Sequence, residues 1–94
     1  MSIEEQIQNK IQDFKTEFLK LNPTNYYSFA SFSIDCNDLL SSTRYDIDTL
    51  IVNQEKSVGR ISVETYLKLI EPCNECRDYL QLYIDRHIQN GIFD

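Results

Sequence analysis

Tyr26-Tyr27-Ser28-Phe29-Ala30-Ser31-Phe32-Ser33-Ile34-Asp35-Cys36-Asn37-Asp38-Leu39-Leu40 is the stretch that decides the fold. By propensity, its aromatic start suits a β-strand. An alternating reading, however, puts Phe29 and Phe32 on opposite faces of a sheet that has no obvious partner strand. Read at helical period, Tyr26, Phe29, Phe32, Cys36 and Leu39 step by three, three, four and three, and Leu40 widens the same face. The spacing predicts a helix from Thr24 or Asn25 to Leu40, and with it an all-α fold.

On the N-terminal side a first helix is plain. Ser2 and Glu5 have the spacing of a capping box, with acids in the first turn. Ile3, Ile7, Ile11, Phe14, Phe18 and Leu21 follow at steps of three and four, and Pro23 disfavours continuation beyond Asn22. On the C-terminal side, Ser41-Ser42-Thr43 interrupts the pattern, and Thr43 with Asp46 resembles a new N-terminal cap. Tyr45, Ile47, Leu50 and Ile51 then predict a short third helix to about Glu55, although the run from Ile47 to Val52 also fits an edge strand. Asn53 to Arg60, with Gly59, reads as a polar loop. Ser62 caps the last helix, with Ile61 and Tyr66 spaced for a hydrophobic staple. Tyr66, Ile70, Cys73, Leu80, Ile84 and Ile88 hold one register across Pro72, which favours a kink there over a restart. Asn90-Gly91 ends the helix, with Ile92 positioned to pack back on its last turn. The expectation is one domain over residues 1–94, a compact bundle of about four helices with a long C-terminal helix kinked at Pro72.

Composition supports a folded domain. Of 94 residues, 41% are apolar and 26% charged, and two Gly and two Pro are too few for the frequent turns of an all-β fold. No apolar run approaches the roughly 18 residues that span a bilayer. The start, Met1-Ser2-Ile3-Glu4-Glu5-Gln6, is acidic where a secretory leader is basic. Three cysteines, an odd number, do not form a closed disulfide framework. These features predict a reduced, cytoplasmic protein. The net charge of −6, fifteen acids against nine bases, argues against direct nucleic-acid binding and against anionic membranes. It favours a basic protein partner, or it serves solubility alone.

Little in the chain suggests catalysis, a metal or another cofactor. Cys73-x-x-Cys76 would need Cys36 and His87 to complete a zinc site. On a straight helix His87 stands roughly 16 Å from Cys76, whereas ligands of one zinc lie within about 4 Å of each other. A redox pair fares no better, because Glu71 and Glu75 would raise the thiol pKa values. The lone histidine lies near a helix end, which suits a structural cation, and no nucleophile elbow or phosphate loop occurs. Carboxylate pairs such as Asp35/Asp38 and Asp46/Asp48 lie in polar surroundings that give no reason for raised pKa values. The chain reads as a non-enzyme.

Acids and tyrosines carry the better signal. Glu64, Glu71, Asp78 and Asp85 recur every seven residues on the last helix, with Glu75 beside them, which is also what an ordinary solvated face looks like. A second concentration, Asp35, Asp38, Asp46, Asp48 and Glu55, is opposed only by Arg44. Tyr26 and Tyr27 cannot both face the core, and Tyr45 lies among the acids. Rings interleaved with carboxylates suit a partner rich in Arg and Lys, and equally suit an amphipathic core edge.

The leading expectation is a small protein inhibitor that covers a basic surface of a nuclease or other nucleic-acid-binding protein. Asp35, Asp38, Tyr45, Asp46 and Asp48 would contact that partner, with Tyr26 or Tyr27 as aromatic anchor. In size, charge and helix content the chain resembles immunity proteins of nuclease toxins and phage-encoded anti-defence inhibitors, without a signature motif of either. One alternative is a homodimeric adaptor or assembly subunit that uses off-stripe apolar residues such as Leu19, Val52, Leu69 and Leu82. The other is a nucleotide-sequestering protein, with tyrosines stacking a base and Arg44, Arg60 or lysines holding phosphate.

Overall fold

Ser2 Oγ accepts the Glu5 N–H at 3.1 Å and starts α1, which runs Ile3–Leu19. Its stripe of Ile7, Ile11, Phe14 and Phe18 is buried. The computed structural model describes residues 2–89 of the chain, and the side chains of residues 2–86. After α1, Pro23–Asn25 form one 3-10 turn capped by the Asn22 carboxamide, and α2 then spans Phe29–Val58. Helix α3 spans Val63–Gln89. The fold is all-α, and no strand occurs among the described residues.

Three of the sequence-based boundaries differ. First, α2 starts at Phe29, not at Thr24 or Asn25, so Tyr26 and Tyr27 lie in the connection before it. Ser28 is the cap: its Oγ accepts the Ser31 N–H at 3.2 Å, and the Ser31 Oγ accepts the Ser28 N–H at 3.3 Å. A serine at the third helical position thus fills the place usually held by Glu or Gln.

Second, the helices expected on either side of Ser41-Ser42-Thr43 are one helix, so the described residues form three α-helices where about four were expected. Thr43 is no cap but a buried residue in the middle of α2, 7% exposed, on the stripe of Phe32, Cys36, Ile47 and Ile51. The physical balance is clear. Three Ser/Thr residues in a helix interior cost at most about 0.7 kcal/mol each relative to Ala. A break would leave up to eight backbone groups without helical partners and interrupt a buried stripe. The segment 45–52, open between helix and strand in the sequence, is helical for the same reason.

Third, the expected loop from Asn53 is helical as far as Val58. Gly59, at φ +97° and ψ 173°, takes a positive-φ backbone open essentially to glycine and ends α2, with its N–H on the Glu55 carbonyl at 2.8 Å. Ser62 caps α3 as the sequence indicates, its Oγ accepting the Thr65 N–H at 3.1 Å, and Ile61 and Tyr66 both pack on the core. Helix α3 runs on through Pro72 without restarting. Pro72 cannot donate to the Lys68 carbonyl, and it sits half-buried beside Glu4, Ile7 and Gln8 of α1. The expected stop at Asn90-Gly91 and the packing of Ile92 fall outside the described residues.

The contacts set the topology. Residues 10–17 of α1 and 39–46 of α2 line one groove. Helices α1 and α2 are antiparallel because α1 runs parallel to α3 (residues 4–8 beside 68–72, Phe18 beside Tyr79 and Tyr83) and α3 runs against α2. Tyr66 bonds to Asp48 and Cys73 lies near Leu40, so α2 and α3 are antiparallel too. Phe18 packs edge-on to Tyr83 at 4.7 Å and to Tyr79 at 5.7 Å. The body measures 51 × 20 × 20 Å, the long dimension being about that of α2 itself.

Candidate functional site

Counting 3.6 residues per turn from its buried stripe, α2 has two flanks and an outer ridge. Asp35, Ser42 and Asp46 fall on the flank toward α1. Arg44, Asp48 and Glu55 fall on the flank toward α3. Asp38 and Tyr45 lie on the ridge with Ile34 and Val52, and Tyr45 is 72% and Ile34 60% exposed. The residues singled out from the sequence are therefore divided, and Asp46 and Asp48 point to opposite sides of the helix.

On the α3 side the acids are engaged within the fold. The Tyr66 hydroxyl donates to Asp48 Oδ1 at 3.0 Å and accepts from Arg44 Nη2 at 3.0 Å, while Arg44 Nε stands 3.4 Å from Asp48 Oδ2. This closed triangle keeps Arg44 charged, the Tyr66 hydrogen bond being the largest cause of its raised pKa. Glu55 accepts the Ile61 N–H at 3.3 Å and braces the turn between α2 and α3. Both acids hold two helices together, a role that net charge along the sequence does not reveal.

At the N-terminal end of α2, Tyr26 is half-buried with its ring edge-on to Phe32 at 5.2 Å. Its hydroxyl donates to Asp35 Oδ2 at 2.8 Å, and this bond is the first cause of its raised pKa. Tyr27 is fully exposed and is the free ring of the pair.

The α1 side differs. Asp13 and Glu17 of α1 converge with Asp46 of α2 on a groove of about 190 Å³, with Lys10 at one edge and Ser42 and Thr43 in its wall. Glu17 also pairs with Lys20 at 2.9 Å, an exposed contact of small energetic weight. Among the described residues no cation pairs with Asp13, Asp38 or Asp46. Asp13 and Glu17 escaped the sequence reading. Both border the Phe14/Phe18 stripe, but which helix would lie against that border is a tertiary fact.

The thiols are core groups. Cys36, Cys73 and Cys76 are all buried and free. Burial pushes Cys36 and Cys76 up to about 11 and is the main cause of the rise at Cys73 as well. Glu75 adds only a minor upward contribution at Cys76, so desolvation outweighs the acids that the sequence pointed to. Among the described residues no three His, Cys, Asp or Glu side chains are placed to hold a metal ion. The side chain of His87 lies outside the described residues. On α3, Glu64, Glu71, Glu75, Asp78 and Asp85 are all exposed; Lys68 reaches Glu64 at 3.7 Å and Gln81 donates to Asp85 at 2.9 Å. Among the described residues no helix is long and apolar enough to cross a membrane. No protein-family model, no curated protein and no solved structure matches this chain.

Proposed function

We propose that this chain is a stoichiometric inhibitor that covers a basic surface of another protein, such as a nuclease or other nucleic-acid-binding protein, in the manner of an immunity or anti-defence protein. The observation that supports this reading is the α1–α2 face. There Asp13, Glu17 and Asp46 surround one groove, Asp38 lies beside it on the outer ridge, and three of these four carboxylates lack an internal cation. Two packed helices fix the backbone positions of these carboxylates, so docking orders only short aspartate side chains and the Glu17 side chain. Tyr45, exposed next to Asp46, offers a ring to stack on a guanidinium. The functional surface is then Asp13, Glu17, Asp35, Asp38, Tyr45 and Asp46, with Tyr27 at its end, while Asp48 and Tyr26 act inside the fold. The protein has no catalytic role and works in the cytoplasm.

The experiment is a pull-down from source cells at low and high salt, followed by kinetics with the captured protein. A basic protein released by salt is expected. Reversal of Asp38 and Asp46 to Lys should slow association about tenfold or more and flatten its salt dependence. Unchanged association after the double reversal removes this face from the reading. The adaptor alternative draws less support, since Leu69 packs on the core while Leu19, Val52 and Leu82 are exposed on three different helices.

A further inference from the structure

On the opposite seam, between α2 and α3, a hollow of about 240 Å³ is lined by Leu40, Ser41, Arg44, Cys73 and Arg77. Its chemistry is the reverse of the acidic groove. Two of the chain's four arginines face it, and no carboxylate is among its lining residues. In a protein of net charge −6, two guanidinium groups at one hollow form a local positive site, partly offset by the Asp48 carboxylate on Arg44.

The two arginines differ in how they are held. Arg44 is fixed by Tyr66 and Asp48 through Nη2 and Nε, which leaves its Nη1 amino group uncommitted. Its Nε is buried and, although 3.4 Å from Asp48, makes no hydrogen bond. Arg77, from α3, has no ion-pair or hydrogen-bond partner among the described residues, and neither does the Ser41 hydroxyl. Cys73 is neutral, because burial raises its pKa, and so does not repel an anion. Donors from both helices therefore face one space with an arginine already set in place.

The geometry points to a binding site for a phosphate group in this hollow, held by Arg77, by the uncommitted edge of Arg44 and by the Ser41 hydroxyl. Planar guanidinium forks match a tetrahedral oxyanion with paired hydrogen bonds. The hollow, about 240 Å³ and open to solvent, has room for a phosphate and some of its hydration. Asp48 cancels part of the charge of Arg44, which leaves Arg77 as the main uncompensated charge at the site. An organic substituent would lie outside, where Tyr45 stands one helical turn from Ser41 on the outer side of α2. None of the groups that would hold the phosphate lines the acidic groove, and Tyr45 on the outer ridge is the one residue that borders both faces.

The test is a titration of the ¹⁵N-labelled chain, followed by amide and arginine side-chain resonances, with inorganic phosphate and separately with adenosine monophosphate. Sodium chloride holds the ionic strength constant. Saturable shifts confined to Ser41, Arg44, Cys73 and Arg77 are expected, weakened at least about tenfold by R77Q. Arg77 is exposed, so R77Q leaves the rest of the spectrum in place. Binding of both compounds marks a phosphomonoester site, and binding of inorganic phosphate alone a free-anion site. Shifts that do not saturate, that spread over the surface lysines, or that survive R77Q unchanged overturn the proposal.

Discussion

Replacing Ser42 by Pro tests whether α2 is one helix. Ser42 lies in the middle of α2, exposed, in the wall of the acidic groove. In a continuous helix its N–H bonds to the Asp38 carbonyl. Proline removes that bond and drives its ring against the same carbonyl, at a cost of about 3 kcal/mol or more. For a domain of this size each kcal/mol lowers the melting temperature by about 4–8 °C, so S42P should melt at least about 12 °C below the parent. Had the chain broken at Thr43, Ser42 would precede a helix cap, where proline is well tolerated. Ser42→Ala is the control: it improves helix propensity by a few tenths of a kcal/mol and should match or slightly exceed the parent. Far-UV circular dichroism during thermal and urea unfolding reads both. An S42P midpoint within about 3 °C of the parent would refute the single long helix and restore two.

Phe18→Ala should cost about 3–5 kcal/mol, since Phe18 is 0% exposed and packs against Phe14, Tyr79 and Tyr83. A loss under about 1 kcal/mol in urea unfolding would mean that α1 and α3 do not meet there as described. The buried thiols give a pH dependence. Cys36 and Cys76 are raised from 9.0 to about 11, so between those values the unfolded chain has released protons that the folded chain retains. Stability should be unaffected by these groups below about pH 9 and fall above it, by up to about 1.4 kcal/mol per pH unit for each thiol. The variant C36A/C76A should show a flatter alkaline limb, and an identical limb would exclude the thiols as its cause. At neutral pH, an exposed-thiol reagent should label the native chain far more slowly than the urea-unfolded one; equal rates would contradict burial.

Much of the local structure is determined by the sequence alone, because it depends on neighbours three or four residues apart. The Ser2 and Ser62 caps, the Ile7-to-Phe18 stripe and the passage of the last helix through Pro72 all follow from spacing. The choice of helix for the aromatic run after Tyr26 also holds, since Phe32 and Cys36 lie on one buried face. The continuity of α2 could not be read in this way. Ser41-Ser42-Thr43 carries a local signal for a break, and only the pairing of this segment with α1 and α3 along its full length outweighs that signal.

The charges divide along the same line. Composition determines that the protein is acidic, but the same carboxylate can cap, brace or remain free according to what lies across from it. Asp46 and Asp48 are two residues apart, yet a helix turns them to opposite flanks, one toward α1 and one onto Tyr66. Asp13 and Glu17 join Asp46 from more than twenty-five residues away because α1 and α2 pack antiparallel. Arg44 and Arg77 meet for the corresponding reason on the other seam. Residue type and spacing therefore specify the helices and their buried stripes, whereas the pairing of those stripes decides which polar flanks face each other.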